Sequence, residues 1–174
     1  MATRHTNVVQ ILDLGLGNTE SVATSLLRSG IKAEILPKSG RIKCTTLLLP
    51  GVGSFEAGAI RLGQDGLRER IWEHVESGGS LIGICLGMQL LGSASEEGPG
   101  RGLELLPFES VKLGKKGALE PPIMGWQTPV LIDRDWLGLA GNERYFFMHD
   151  YGIVDASSSL VKMKHGAAGR QAAS

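Results

Sequence analysis

The fold is decided by the stretch SLIGICLG (residues 80–87), in which a short apolar run ends at a cysteine between two glycines. The run predicts a buried β-strand, and the residues from Leu86 to about Ser93 predict a helix that starts directly after Cys85. Glycine-x-cysteine-x-glycine has the spacing of a nucleophile elbow, a sharp strand-to-helix turn that exposes its central side chain. We therefore expect Cys85 at the carboxyl end of a central parallel strand, where the helix dipole favours its thiolate. The alternative is a small buried hydrophobe.

Short apolar runs and helical patterns alternate before this stretch. Strands are predicted at residues 8–12, 33–36 and 47–49, and helices over 19–29 and from Ser54 to the glycines at 78–79. The run at 47–49 is continuously apolar, as is typical of parallel strands covered on both faces. This order predicts a three-layer, flavodoxin-like, doubly wound α/β fold with a mostly parallel sheet.

The second half of the chain has a different pattern. Short strands separated by Gly-, Pro- and Asp-rich turns are predicted at residues 111–113, 130–132, 145–148 and 160–163. We expect a more β-rich C-terminal half within one domain of 174 residues, and a disordered tail over residues 166–174.

Composition excludes several classes of protein. Lys and Arg total 18, as do Asp and Glu, so net charge provides no electrostatic footprint for nucleic acid or an anionic membrane. The apolar runs are far shorter than the ~20 residues that span a bilayer, and the N-terminal residues lack the apolar region of a signal peptide. Two cysteines, Cys44 and Cys85, make neither a disulfide framework nor a metal cluster. We expect a soluble, cytoplasmic protein with no metal and no cofactor.

Several motifs share one family resemblance. They are GICLGMQ (83–89), SEEG (95–98), DLGLGN (13–18), LPGVG (49–53), MGWQ (124–127) and FMHDY (147–151). In type and order they resemble motifs of the glutaminase subunits of imidazole glycerol phosphate synthase, class I glutamine amidotransferases of histidine biosynthesis. The resemblance covers residues 8–151. Leu14, Gln127 and Asp150 depart from the family's Tyr, Asn and Ser.

The resemblance implies how the site would work. Cys85 would attack the side-chain amide of glutamine, release ammonia and form a glutamyl thioester. Backbone N–H groups would stabilise the oxyanion after a peptide flip. The residues implied are Gly51, Val52, Gly53 and Leu86 for the oxyanion hole, and Gln89, Glu97, Asp150 and Tyr151 for substrate binding. Taken without the resemblance, the Pro50–Gly53 segment is an ordinary turn and Glu97 a solvated charge.

A partner is implied as well. In the family the ammonia is used by a (β/α)₈-barrel cyclase or synthase subunit. Trp126 and a turn at Met124 and Gly125 are expected at that interface, since they precede the pocket-forming strand and an exposed Trp often anchors interfaces. A core position for Trp126 is the alternative. His149 is interpreted as structural rather than catalytic.

The sequence lacks one expected motif. The family completes a Cys-His-Glu triad with a late H-P-E segment, which does not occur here, and His165 is followed by Gly166. Without the base and its orienting carboxylate, we expect the chain to be impaired or inactive. It would be either a chain that lacks the final strands or a relative that lost hydrolysis. Lack of those strands would expose a sheet edge and favour a homodimer.

Three functions compete at this point. The first is a glutaminase domain that supplies ammonia to a synthase partner. The second is a non-catalytic binding or interaction module derived from such a domain, favoured by the missing His and Glu. The third is another cysteine enzyme on a flavodoxin-like scaffold, which does not explain GMQ (87–89) or PGVG (50–53).

Overall fold

A computed structural model describes residues 6–113, 122–128, 130–131, 144–153, 161–165 and 170–172. The chain forms two compact units. The first contains residues 1–94 and 98–106, and the second contains residues 95–97 and 107–174. The single domain expected from the sequence stays a prediction.

The first unit is built on a four-stranded parallel sheet with the order β2-β1-β3-β4. Its strands are β1 (Thr6–Asp13), β2 (Ala33–Pro37), β3 (Cys44–Gly51) and β4 (Ser80–Cys85). Its helices are α1 (Thr19–Arg28), α2 (Phe55–Leu62), α3 (Leu67–Glu76) and α4 (Leu86–Gln89). The α/β order confirms the predicted doubly wound fold.

Two apolar clusters cover the two faces of this sheet. Leu47 and Leu49 of β3 belong to the larger cluster, which includes Phe55 of α2 and Ile71 of α3. Leu48 points to the opposite face and joins the smaller cluster beneath α1. Full burial of such an aliphatic side chain stabilises the fold by roughly 1.5–3 kcal/mol. The continuous apolar run thus reflects a strand that is covered on both sides.

The helix predicted from Ser54 to residue 78 is wrong as one element. Ser54 does begin a helix, since its hydroxyl accepts a hydrogen bond from Ala57 N at 3.3 Å. The helix ends at Leu62, and α3 starts only after a turn in which Asp65 and Gly66 have φ values of 56° and 64°. The apolar spacing continues across the turn because Leu62 and Leu67 are both fully buried. Periodicity alone therefore hides the break.

Two further expectations about the elbow region need correction. Helix α4 ends at Gln89 rather than near Ser93, since the backbone beyond it bonds to residues 102–106. Strand β4 is not central: in the described part of the chain it is the outermost strand of its sheet. Ile82 and Ile84 of β4 are accordingly 49% and 44% exposed.

The second unit is rich in strands, as expected. Its described residues form three small sheets with the orders β10-β6-β5, β12-β11-β8 and β7-β9. The strands are β5 (Ala94–Ser95), whose first residue belongs to the first unit, β6 (Glu109–Lys112), β7 (Ile123–Gln127), β8 (Val130–Leu131), β9 (Tyr145–His149), β10 (Tyr151–Gly152), β11 (Val161–His165) and β12 (Arg170–Ala172).

Two of these strands differ from the sequence-based expectation. Strand β7 occupies the segment interpreted as a turn at Met124 and Gly125, and it forms because β9 pairs with it along its length. Arg170–Ala172 pairs with β11 although a disordered tail was expected there, and the rest of 166–174 lies outside the described residues. Within the described ranges, no helix is long and apolar enough to cross a membrane.

Candidate active site

Cys85 lies at a strained strand-to-helix turn. It is the last residue of β4 and the N-cap of α4, with φ 55° and ψ −116°. A non-glycine residue in such a conformation costs about 1–3 kcal/mol and persists only where its surroundings enforce it. The residue is exposed, so its thiol is not packed into the apolar core. The geometry is that of the nucleophile elbow expected from the glycine spacing.

Both flanking glycines are required by close approach. A Cβ on Gly83 would lie 2.6 Å from the backbone N and Cα of Met88. A Cβ on Gly87 would overlap the carbonyl oxygen of Leu49 on β3. These are backbone atoms that cannot rotate away, so α4 can start this close to the sheet only if both positions are glycine.

The turn after β3 lies beside the elbow. Gly51 is the register partner of Cys85 in the β3–β4 ladder. Val52 N donates a hydrogen bond to Leu16 O in the turn after β1, at 3.1 Å. Gly53 has φ +113°, with open space where a Cβ would stand. The Val52 N–H is therefore already paired with Leu16 O.

Gln89 supplies an unsatisfied acceptor in α4. Its side chain is only 8% exposed, and its Oε1 is buried with no hydrogen-bond partner in the described structure. An unsatisfied buried acceptor costs roughly 1–3 kcal/mol. A ligand with an N–H or O–H donor would remove that penalty, which fits the binding role implied for Gln89.

The other predicted site residues belong to the second unit. Glu97 is half-buried just after β5, and its N–H bonds to Ser95 Oγ at 3.2 Å. Its neighbour Glu96 has a different task, since its Oε2 accepts a bond from Lys112 N at 2.8 Å. Tyr151 lies in β10, on the other side of β6 from β5. The carbonyl of Asp150 accepts a bond from Leu113 N at 2.8 Å.

A row of exposed apolar side chains occupies one face of the β7–β9 ribbon. The register pairs Met124 with Met148 and Trp126 with Phe146, so all four lie on the same face. Their exposed fractions are 60%, 64%, 58% and 54%, respectively. The rings of Trp126 and Phe146 meet edge to face at 5.7 Å. Trp126 is thus not a core aromatic, and we call these four residues the apolar ribbon face.

Two members of the apolar ribbon face, Phe146 and Met148, were missed by the sequence reasoning. They sit at alternate positions of one run, a signal that becomes readable only when β9 is paired with β7. The two histidines considered earlier lie in strands, His149 in β9 and His165 in β11. The His149 ring packs edge to face on Phe147 at 5.8 Å.

The two cysteines have opposite environments. Cys44 is fully buried at the start of β3, and burial raises the pKa of its thiol. Cys85 is exposed at a helix N-terminus. No three His, Cys, Asp or Glu side chains cluster as a metal site would require, as far as the chain is described.

Related sequences match most of this chain. An imidazole glycerol phosphate synthase subunit HisH from Moorella thermoacetica is 39% identical over 158 residues, which are 88% of this chain and 74% of that protein. A subunit HisH 2 from Pseudomonas aeruginosa is 34% identical, covering 91% of this chain and 82% of that protein. The chloroplastic hisHF protein of Arabidopsis thaliana is 31% identical over 88% of this chain but only 26% of its own length.

Structural similarity points to the same fold. A crystal structure of a glutamine amidotransferase superposes with a TM-score of 0.67 at 18% identity, covering 89% of this chain and 79% of that one. The family model for class-I glutamine amidotransferases matches residues 10–168. The resemblance inferred from the motifs is confirmed, and the chain belongs to the class-I glutamine amidotransferase family.

Proposed function

We propose that this chain is a glutamine-hydrolysing domain that supplies ammonia to a synthase partner, with Cys85 as its nucleophile. The observation that carries the proposal is the strained elbow at Cys85, held beside the Gly51–Gly53 turn. Strain of this kind is retained where it positions a reacting group. The names of the relatives support the same chemistry, since they are subunits of a synthase.

The proposed reaction starts at the sulfur. The thiolate of Cys85 attacks the side-chain amide carbon of glutamine, and the carbonyl oxygen becomes an oxyanion. The Leu86 N–H, at the first position of α4, has no acceptor within the helix and donates to it. Collapse of this intermediate breaks the C–N bond, and the nitrogen leaves as ammonia after gaining a proton. Water then hydrolyses the thioester to glutamate and restores the thiol.

The second donor requires a rearrangement. We propose that the Gly51–Val52 peptide turns so that Val52 N–H leaves Leu16 O and points to the oxyanion. Gly53 supports such a motion, since it already has φ +113° and open space around its Cα. The turn would therefore act as a gate between a resting and a competent site.

Substrate binding is proposed to centre on Gln89. Its buried, unpartnered Oε1 suits a donor of glutamine, which carries an amide and an ammonium group. The binding roles of Glu97, Asp150 and Tyr151 remain predictions of the family resemblance.

Turnover of the 174-residue chain is proposed to be slow. No H-P-E segment occurs in it, and general acid–base catalysis contributes ~10²–10⁴-fold. We expect an electrophilic glutamine analogue, such as a diazoketone, to form a stable adduct on Cys85, while glutamine itself releases almost no ammonia. Cys85→Ser should abolish the adduct, and Cys44→Ser should leave it unchanged.

Three outcomes separate the candidate functions. Adduct formation with ammonia release near ordinary turnover, on the order of 1–10³ per second, would show that another residue serves as the base. Glutamine binding without any adduct would identify the non-catalytic binding module instead. The absence of both glutamine binding and the adduct would refute the glutaminase proposal.

The synthase partner is proposed to dock on the apolar ribbon face. Four large apolar side chains on one face form a patch of the kind that marks protein interfaces, with an aromatic pair as anchor. The family resemblance implies a (β/α)₈-barrel cyclase as the occupant. The hisHF protein of Arabidopsis supports such a partner, because this chain matches only 26% of that protein and the rest of it is joined to the matching part in one chain.

A further inference from the structure

The helix that follows the elbow, α4, is too short to hold Cys85 in its strained conformation. Helix α4 contains four residues, and a single helical turn has almost no stability by itself. Cys85 at its N-terminus is nevertheless kept at φ 55°. Because strained residues persist only where the surroundings over-determine them, something beyond α4 must fix it.

Residues 98–106, which we call the bracing loop, bond to the segment directly after α4, residues 90–93. Leu103 N donates to Leu90 O at 2.7 Å, and Leu105 N donates to Leu91 O at 2.9 Å. Further backbone bonds join Glu104 N to Gly92 O at 3.0 Å and Gly102 N to Ser93 O at 2.8 Å. These four carbonyls belong to Leu90, the C-cap of α4, and to the three residues that follow it, so the loop fixes the segment into which α4 runs.

Two side chains of α3 in turn hold the bracing loop. The guanidinium of Arg68 donates to Gly102 O and, at 2.7 Å, to Arg101 O. One helical turn later on the same face, Trp72 Nε1 donates to Leu103 O at 2.9 Å. Three consecutive carbonyls of the loop are therefore anchored to one helix, α3, while the N–H groups of Gly102 and Leu103 bond to the segment after α4.

We propose that Arg68 and Trp72 are positioning residues for Cys85, acting through the bracing loop and α4. This inference rests on the proposed nucleophilic role of Cys85. Loss of the anchors lets the loop and α4 relax and releases the strain at Cys85. The Cys85 sulfur and the Leu86 N–H then move away from the positions that the proposed reaction requires.

A matched control exists on the same helix. Arg70 also donates through its guanidinium to two carbonyls, those of Lys38 and Gly40, but this loop follows β2 and does not contact α4 through any bond of the described structure. Arg70→Met therefore removes the same kind of interaction from α3 without touching the support of the elbow.

The experiment measures the rate of Cys85 modification in folded protein, by a diazoketone analogue of glutamine and by iodoacetamide. We expect Arg68→Met to slow reaction with the analogue about tenfold and also to slow reaction with iodoacetamide, and Trp72→Phe to have about a threefold effect. Arg68→Lys, which keeps one charged donor, should recover part of the rate. Arg70→Met should match the wild type.

The result that overturns the inference is an Arg68→Met protein that is folded by circular dichroism and reacts at the wild-type rate. Equal slowing in Arg70→Met also overturns it, because the effect is then general destabilisation. If Arg68→Met does not fold, Trp72→Phe and Arg68→Lys decide by the same criterion. If the wild type reacts with iodoacetamide but not with the analogue, the proposed function fails, and the rates of the variants with iodoacetamide still test the positioning role.

Discussion

Replacement of Gly83 by alanine tests the geometry of the elbow most directly. The added methyl would lie 2.6 Å from Met88 N and Cα and 2.7 Å from Gly87 C. All three are backbone atoms of the turn into α4, so relief requires moving the helix rather than a side chain. Overpacking of this kind typically costs about 1–3 kcal/mol, and the rigid backbone places Gly83→Ala near the upper end, about 2–3 kcal/mol.

The assay for this variant has two parts. Urea unfolding followed by tryptophan fluorescence gives the change in the free energy of unfolding, and thermal unfolding should show a Tm lower by about 4–12 °C. The alkylation rate of Cys85 reports the elbow, and we expect it to fall because α4 is pushed off β4.

Gly63→Ala is the control for this experiment. Gly63 has φ −76°, and its Cβ would stand 3.6 Å from Ile60 O, an ordinary contact. We expect its free energy of unfolding to lie within about 0.5 kcal/mol of the wild type. A Gly83→Ala protein that is as stable as Gly63→Ala, with an unchanged Cys85 rate, would refute the close approach of α4 to β4.

Four other predictions concern the cysteines and the two exposed apolar surfaces. Alkylation with peptide mapping at neutral pH should label Cys85 before Cys44, and labelling of Cys44 first would contradict the assignment. Burial raises the pKa of Cys44 in the folded state, so its contribution to stability is present below the unfolded pKa and is lost as pH rises through the folded pKa. Cys44→Ala should therefore flatten the decline of the free energy of unfolding at alkaline pH. Trp126→Ser should weaken binding to a cognate cyclase by about 30-fold, or about 2 kcal/mol, as measured by titration calorimetry. Ile60→Ser, at an exposed position on α2, should leave binding unchanged. Equal effects of the two variants would exclude the apolar ribbon face as the docking surface. A homodimer through β4 should be lost in the double variant Ile82→Lys, Ile84→Lys by analytical ultracentrifugation, and a wild-type monomer at tens of micromolar would contradict it.

Local signals made much of the first unit predictable. The glycines around Cys85 encode the elbow because steric demand acts on residues that are neighbours in sequence. The continuous apolar run of β3 likewise predicts a strand that is covered on both faces. The turn at Gly63–Gly66 was missed because Leu62 and Leu67 both face the core, which keeps the apolar rhythm intact across a break in the helix.

Features that depend on distant pairing could not be predicted in the same way. Strand β7 contains Gly125 at φ +137° and has weak strand character, so only its partner β9 makes it a strand. The apolar ribbon face depends on the register between those two strands. The unsatisfied Oε1 of Gln89 depends on burial by tertiary packing, which no sequence pattern reports.

The bracing loop explains why a recognisable elbow motif is insufficient by itself. The motif specifies where the chain can turn sharply, since Gly83 and Gly87 remove the steric obstacle. It does not supply the free energy that keeps Cys85 in its strained conformation, because a four-residue helix cannot. We attribute that free energy to bonds that span 31 to 34 residues of the chain, from Arg68 and Trp72 to the carbonyls of 101–103. The proposed reactivity of Cys85 therefore depends on the packing of the first unit, whereas the motif only makes the sharp turn sterically possible.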